Sequence, residues 1–145
     1  MRQERDDDFM KQVKIKCPYC HARATLRPAS VVYGQNKRSQ GKYLYVCDRW
    51  PACDAYVSAH NHTHLPMGTL ANGDLRHKRI LAHHALQHLC ENRHMEKREV
   101  YIWLQSKLGL NSKQTHIGQF SNWMCDEVIR LCKQASASFP SDQAA

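Results

Sequence analysis

Hydrophobic positions follow two different patterns along the chain. Up to residue 60, β-prone residues stand in short runs between turn residues, which predicts short strands. These runs are Val13 to Ile15, Thr25–Leu26, Val31–Tyr33, Tyr43 to Cys47 and Ala55–Val57. The run from Tyr43 to Cys47 gives the clearest strand prediction, and a polar loop from Gly34 to Gly41 precedes it.

In the second half, apolar residues recur every three or four positions, which predicts amphipathic helices. The first is predicted from about Leu75 to Cys90, the second from Glu96 to Leu108 and the third from Ser121 to Ala135. Gly109 is a stop signal for the second helix, and a serine such as Ser121 is a good N-cap. The chain is therefore predicted to be an α+β protein, with a small β module followed by a three-helix C-terminal unit.

Composition suggests where these parts begin and end. The β module is predicted to occupy residues 12–60 and the helical unit residues 74–135. Residues 61–73 contain proline and glycine and are interpreted as a linker. The polar ends, residues 1–11 and 136–145, are predicted to be flexible tails.

Four of the seven cysteines form two closely spaced pairs, Cys17 with Cys20 and Cys47 with Cys53. Zn²⁺ prefers four tetrahedral ligands, and cysteine thiolates on two turns provide them. A thioredoxin-like redox motif is the alternative, but Pro18 and the second pair argue against it. We therefore predict a zinc ribbon with one structural Zn²⁺, whose four thiolates leave no open coordination position.

The histidines and the other cysteines suggest no catalytic site. Histidines stand at 60, 62 and 64 and again at 83, 84 and 88, but no HExxH glutamate or carboxylate cluster accompanies them. Most are interpreted as surface or partly buried residues, and a second metal site at these histidines stays open. Replacement of a cysteine ligand by His60 is a further alternative. Cys90, Cys125 and Cys132 are predicted to pack as small apolar residues, so we predict that the protein is not an enzyme.

The net charge of +8 is concentrated in the β module, where residues 10–60 carry nine basic residues and two acidic ones. A basic module of this kind is typical of nucleic-acid-binding proteins. No apolar run approaches the roughly 18 residues of a membrane span. The charged segment from Met1 to Asp8 does not resemble a secretory signal, so a cytoplasmic location is expected.

The cysteine pairs and their surroundings carry two resemblances. Cys17-Pro-Tyr-Cys20 followed by the run from Gly41 to Cys53 resembles the C-terminal zinc ribbons of type IA DNA topoisomerases, over residues 17–53. The enzymatic core of those proteins has no counterpart here. The whole chain, including Pro66 to Asn72 and His116 to Phe120, resembles a family of zinc-finger-containing phage and prophage proteins of unknown function.

The topoisomerase resemblance implies that the ribbon binds single-stranded DNA, and aromatic rings with nearby cations suit such a role. Tyr43 and Tyr45 are two positions apart and therefore share one face of a strand. The predicted contacts are Lys37, Arg38, Lys42, Tyr43, Tyr45, Arg49 and Trp50. The alternative is that some of these rings form the ribbon's own core, so that Tyr43 and Tyr45 need not both be free.

Two functions remain open at this stage. The favoured one is a phage-derived, non-enzymatic protein that binds single-stranded DNA or RNA through the ribbon. The other is a phage interaction module that docks on a host enzyme, such as one of nucleic-acid metabolism or defence, and modulates or inhibits it. An exposed Trp103 or Trp123 would favour the second. A metal-dependent nuclease built on the histidines is a weaker third alternative.

Overall fold

The computed structural model describes residues 13–137 and confirms the α+β class. The chain divides into two compact units, Met1–Gly73 and Asp74–Ala145. The predicted tail at residues 1–11 and all but the first two residues of the predicted tail at 136–145 lie outside the described residues. Residues 136 and 137 belong to the last helix instead.

The first unit contains a four-stranded antiparallel sheet in the order β1-β2-β3-β4. Its strands are Ile15–Lys16, Arg23–Pro28, Tyr43–Cys47 and Tyr56–Ser58. Strand β3 has the predicted bounds and lies between β2 and β4, with Leu26 opposite Tyr45 and Tyr45 opposite Val57. Four of its five residues are buried, Tyr45 and Cys47 in one packed cluster and Leu44 and Val46 in another.

The two faces of the sheet carry different side chains. One face packs against the cysteine turns, and its buried residues are Cys17, Ala24, Tyr45, Cys47, Ala55, Val57, Ala59 and Leu70. The other, which we call the aromatic face, is built on three buried residues and four half-buried ones. These are Ala29, Leu44 and Val46, with Val32, Tyr33, Trp50 and Tyr56.

Residues Val31–Tyr33 do not form the predicted strand but part of a helical turn, α1, at Ser30–Tyr33. Val32 and Tyr33 pack on the aromatic face from this turn. Tertiary packing therefore outweighs the β propensity of the two valines. Gly34, with φ of 78°, ends the turn in a conformation that suits glycine.

Residues 61–73 are not the linker that their composition suggested. Leu70 is 2% exposed and belongs to the core on the cysteine side of the sheet. Tyr56 and Ala71 exchange two backbone hydrogen bonds of 3.1 Å each, and Ala59 pairs with Pro66. The segment is thus an integral part of the first unit.

The second unit consists of α2 at Gly73–Arg93, α3 at Lys97–Leu108, a 3₁₀ turn at Ile117–Gln119 and α4 at Asn122–Ala137. These are the three predicted helices with somewhat different ends. Buried apolar residues follow the helical period and form its core: Leu75, Ala82, Leu86, Leu89, Val100, Leu104, Ile117, Phe120, Cys125, Val128 and Cys132. Within residues 13–137, none of the helices combines the length and apolar character that a bilayer crossing requires.

The two predicted helix signals, Ser121 and Gly109, are present in this unit, and a capping box adds a third. The Ser121 hydroxyl accepts a hydrogen bond of 3.3 Å from the backbone N–H of Met124, which caps α4. Glu96 and Glu99 form a capping box at the start of α3. Gly109, with φ of 69°, ends that helix in the left-handed conformation.

Candidate metal centre and nucleic-acid surface

The four paired cysteines converge at one end of the sheet. Cys17 and Cys20 lie in the turn between β1 and β2, Cys47 ends β3, and Cys53 lies in the turn before β4. Their sulfur atoms are all within 4.8 Å of one another, with 3.7 Å between Cys17 and Cys53 and 3.4 Å between Cys20 and Cys47. Zn–S bonds of about 2.3 Å place sulfurs roughly 3.8 Å apart at the corners of a tetrahedron. The cluster therefore fits a zinc tetrathiolate.

Short backbone hydrogen bonds shape the two turns. In the first, the N–H of Cys17 donates to the carbonyl oxygen of Ala22 at 2.7 Å, and His21 takes a positive φ of 64°. In the second, the N–H of Cys53 donates to the carbonyl oxygen of Arg49 at 3.1 Å. Each turn thereby holds its two sulfurs on the same side.

Three of the sulfurs accept a backbone hydrogen bond from the residue two positions later, and such bonds favour thiolates. The N–H of Ala22 lowers the pKa of Cys20 to about 7. Burial acts in the opposite direction and raises the pKa of Cys47 to about 12, although the N–H of Arg49 partly offsets it. A bound Zn²⁺ supplies the positive charge that keeps all four groups ionised in a buried site.

The predicted cofactor is confirmed as one structural zinc ion on Cys17, Cys20, Cys47 and Cys53. Four sulfur ligands complete its coordination, so no position remains for a reactive water. The ion ties the β1–β2 turn to the end of β3 and to the turn before β4. Its role is to hold the sheet together.

The histidines form no comparable group. Among residues 13–137, the cysteine cluster is the one set of three or more metal-binding side chains whose ligand atoms converge. His60 and His62 are exposed, whereas His64 is buried with its ring edge-to-face on Tyr43 at 5.1 Å. His84 and His88 are exposed on α2.

The structure separates the predicted nucleic-acid contacts into three groups. The cations are exposed: Lys37, Arg38, Lys42 and Arg49. Tyr43 and Trp50 are half-buried. Tyr45 is 0% exposed, so its prediction as a stacking ring is wrong. Its hydroxyl donates to the carbonyl oxygen of His64 at 2.6 Å and accepts from the N–H of Val13 at 3.2 Å.

Replacement of Tyr45 by phenylalanine is expected to destabilise the first unit by about 1–3 kcal/mol, because it removes both hydrogen bonds and leaves the buried His64 carbonyl unpaired. Thermal unfolding should shift down by several degrees, with zinc content and oligonucleotide binding by the folded protein unchanged. Weaker oligonucleotide binding with an unchanged melting midpoint would restore Tyr45 as a contact.

Sequence reasoning missed two rings on the aromatic face, Tyr33 and Tyr56. The ring of Tyr56 contacts Trp50 edge-to-face with 5.7 Å between centroids, and Tyr33 contacts Tyr56 in the same way at 5.9 Å. The guanidinium of Arg38 lies 4.7 Å from the centre of the Tyr33 ring. The sequence did contain a signal for this second face, because Leu44 and Val46 alternate with Tyr43 and Tyr45 and must therefore lie on the opposite side of the strand. The three rings, which we call the aromatic row, and Arg38 form one continuous surface.

A four-cysteine zinc centre on a small antiparallel sheet defines a zinc-binding module of the zinc-finger class. The chain belongs to the DUF3268 family, described as a zinc-finger-containing domain, whose sequence profile matches residues 13–135. No curated protein and no solved structure matches the chain.

Proposed function

We propose that this protein binds single-stranded DNA or RNA, without catalysing a reaction, through the first unit. The observation that carries the proposal is the aromatic row beside the cation loop, which we define as residues 34–42. We further propose that the protein comes from a phage, because of its sequence resemblance to phage and prophage proteins. It would act in the cytoplasm of a bacterial host, where single-stranded nucleic acid is present.

The aromatic row supplies surface for bases. Trp50, Tyr56 and Tyr33 are half-buried, and Tyr56 contacts each of the other two rings edge-to-face on one side of the sheet. Each base stacked on such a ring contributes about 1–3 kcal/mol, with little dependence on sequence. A row of rings therefore favours an unpaired strand, whose bases are free to stack, over a duplex.

The cation loop supplies contacts for phosphates, and its own hydrogen bonds hold it in shape. The Asn36 side chain accepts from the N–H groups of Arg38 and Ser39 at 2.8 and 3.2 Å and donates to the carbonyl oxygen of Tyr33 at 2.8 Å. Ser39 is buried, and its hydroxyl donates to the carbonyl oxygen of Gly34 at 2.6 Å. A loop fixed before binding loses little conformational entropy when a strand arrives.

The charge balance of the unit supports the same partner. Residues 13–73 contain eight basic residues and two acidic ones, Asp48 and Asp54. Asp48 accepts a hydrogen bond from the Thr25 hydroxyl, and Asp54 accepts one from the N–H of Gly73. A zinc tetrathiolate carries a charge of −2, which leaves the unit positive. Phosphates therefore meet a surface dominated by cations.

A specific observation favours the second candidate, a module that docks on a host protein. Trp123, on α4 in the helical unit, is 66% exposed, and tryptophan is enriched among residues that dominate protein interfaces. Ile80 and Ile102 are also exposed in this unit, at 51% and 54%. These residues belong to the helical unit, whereas the aromatic row belongs to the first unit, so the two candidates are separable by substitution.

Substitution of the two tryptophans tests both candidates in one experiment. Trp50→Ala is expected to weaken binding to a single-stranded oligonucleotide by about fivefold or more, with an unchanged salt dependence, because it removes one stacking ring and no charge. Trp50→Phe should restore most of the affinity. Trp123→Ala is the matched control and should bind like the unaltered chain. Fluorescence anisotropy measures the affinities, with zinc content and melting recorded for each variant.

The opposite pattern would support docking on a protein. In that case the unaltered chain would not bind oligonucleotides, and it would retain a host protein after nuclease treatment of a lysate. Trp123→Ala would then reduce the recovery of that protein, whereas Trp50→Ala would not.

A further inference from the structure

A cleft of about 300 Å³ is lined by Tyr33 and Leu44 of the aromatic face and by Tyr43 and Ala59, which pack with the core on the cysteine side. Its walls come from the cation loop, from strands β3 and β4 and from the residues that follow β4. This volume lies at the lower end of the range for small-molecule sites. It therefore suits one small ligand group better than an extended chain.

The lining of the cleft combines two kinds of chemistry. Arg38 and Lys42 supply positive charge, and the contact of Arg38 with the Tyr33 ring restricts its guanidinium. The lining also includes Ser58, Asn61 and Met67, which carry a hydroxyl, an amide and an apolar side chain. Guanidinium and ammonium groups bind phosphate, while an amide can form paired hydrogen bonds with the edge of a base.

Backbone hydrogen bonds fix the walls relative to each other. The N–H of Met67 donates to the carbonyl oxygen of Ser58 at 2.8 Å, which joins two of the lining segments. The N–H of Lys42 donates to the carbonyl oxygen of Ser39 at 3.1 Å, which anchors the backbone at Lys42. The cleft is therefore formed before any ligand enters.

We propose that this cleft binds one nucleotide, with its phosphate at Arg38 and Lys42 and its base against Ser58, Asn61 and Met67. The inference rests on the proposed function, since it assigns one position of the bound strand to a site that reads the base. Stacking along the aromatic row is insensitive to base identity, whereas the Asn61 amide distinguishes one base edge from another.

Single-stranded homopolymers of about 12 nucleotides test the inference, because a bidentate contact changes the affinity for the right base by about fivefold or more. The affinities of the unaltered chain for dA, dC and dT oligonucleotides should differ by at least that factor. Asn61→Ala should bring the three affinities together without changing the salt dependence, since no charge is lost. Asn92→Ala, in the helical unit, is the matched control. Equal binding of all three oligonucleotides, or an unchanged ranking in Asn61→Ala, would overturn the inference and leave the proposed function standing.

A second experiment uses the four ribonucleoside 5′-monophosphates as competitors. It distinguishes a site for a nucleotide within a strand from a site for a free nucleotide. They should compete with the oligonucleotide and should lose this ability in Arg38→Ala and Lys42→Ala. If no oligonucleotide binds, the proposed function fails, and direct titration with the monophosphates then tests whether the cleft is a binding site. Saturable nucleotide binding that depends on Arg38 would support the cleft as a site for free nucleotides, and its absence would reject the site.

Discussion

Replacement of Cys17 by serine is expected to abolish zinc binding and to unfold the sheet of the first unit. The sulfur of Cys17 lies 3.7 Å from that of Cys53, and no other cysteine or histidine among residues 13–137 joins the cluster to replace it. Structural zinc contributes roughly 10–16 kcal/mol of apparent folding free energy in small fingers. Whole domains are stable by only about 5–15 kcal/mol, so loss of the ion removes most or all of that margin.

Elemental analysis together with amide NMR measures this effect. The unaltered chain should contain one zinc, and Cys17→Ser should contain none and lose the dispersed signals of the sheet. Cys90→Ser is the matched control, because Cys90 is half-buried in the helical unit and is not one of the four clustered cysteines, and it should keep both zinc and sheet. A folded, reduced sheet without zinc would contradict the prediction, and two tightly bound zinc ions would reopen the histidine site.

Removal of the three cations of the cation loop is expected to have the second largest effect. The triple variant Lys37→Ala, Arg38→Ala and Lys42→Ala should bind single strands on the order of tenfold more weakly or worse at moderate salt. The negative slope of log affinity against log salt should become shallower by about 2, since each phosphate neutralised on a single strand contributes about −0.7. Thermal stability should change little because Lys37, Arg38 and Lys42 are exposed.

The matched control removes the same number of charges from the helical unit, at the exposed Lys107, Lys113 and Lys133. Its net charge equals that of the loop variant, so any general effect of charge appears in both. The control should keep the slope of the unaltered chain. Equal losses in the two triple variants would show that binding follows total charge and not the cation loop.

Local sequence signals were sufficient where the structure depends on neighbours in the chain. The spacing of Cys17 with Cys20 and of Cys47 with Cys53 predicted the zinc ligands, because a turn brings closely spaced residues together without distant contacts. The run from Tyr43 to Cys47 predicted β3 with its observed bounds. Apolar periodicity predicted the three helices, but α2 continues to Arg93, beyond the point where the pattern fades.

The errors occurred where contacts between distant residues decide the outcome. Alternation placed Tyr43 and Tyr45 on one face, but it could not show that this face packs on the cysteine side. The Tyr45 hydroxyl pairs with the carbonyl oxygen of His64, 19 positions later, in a segment interpreted as a linker. A strand with both faces covered has no solvent side that a period of two can reveal.

The candidate surface shows the same limit. Lys37, Arg38, Lys42 and Trp50 could be named from composition, because cations and rings near a zinc ribbon suggest nucleic acid. Tyr33 joins them through the helical turn α1, in a run that suggested a strand. Its position beside Tyr56 depends on how that turn packs on the sheet, which no local pattern encodes.

The salt dependence of single-strand binding by the unaltered, zinc-loaded chain tests the proposed function most directly. Anisotropy titrations with oligonucleotides of about 10–20 nucleotides, between roughly 50 and 200 mM salt, give the slope of log affinity against log salt. With at least three phosphates at the cation loop, the slope should be about −2 or steeper, with binding at micromolar protein. No binding at that concentration, or an affinity indifferent to salt, would contradict the proposal.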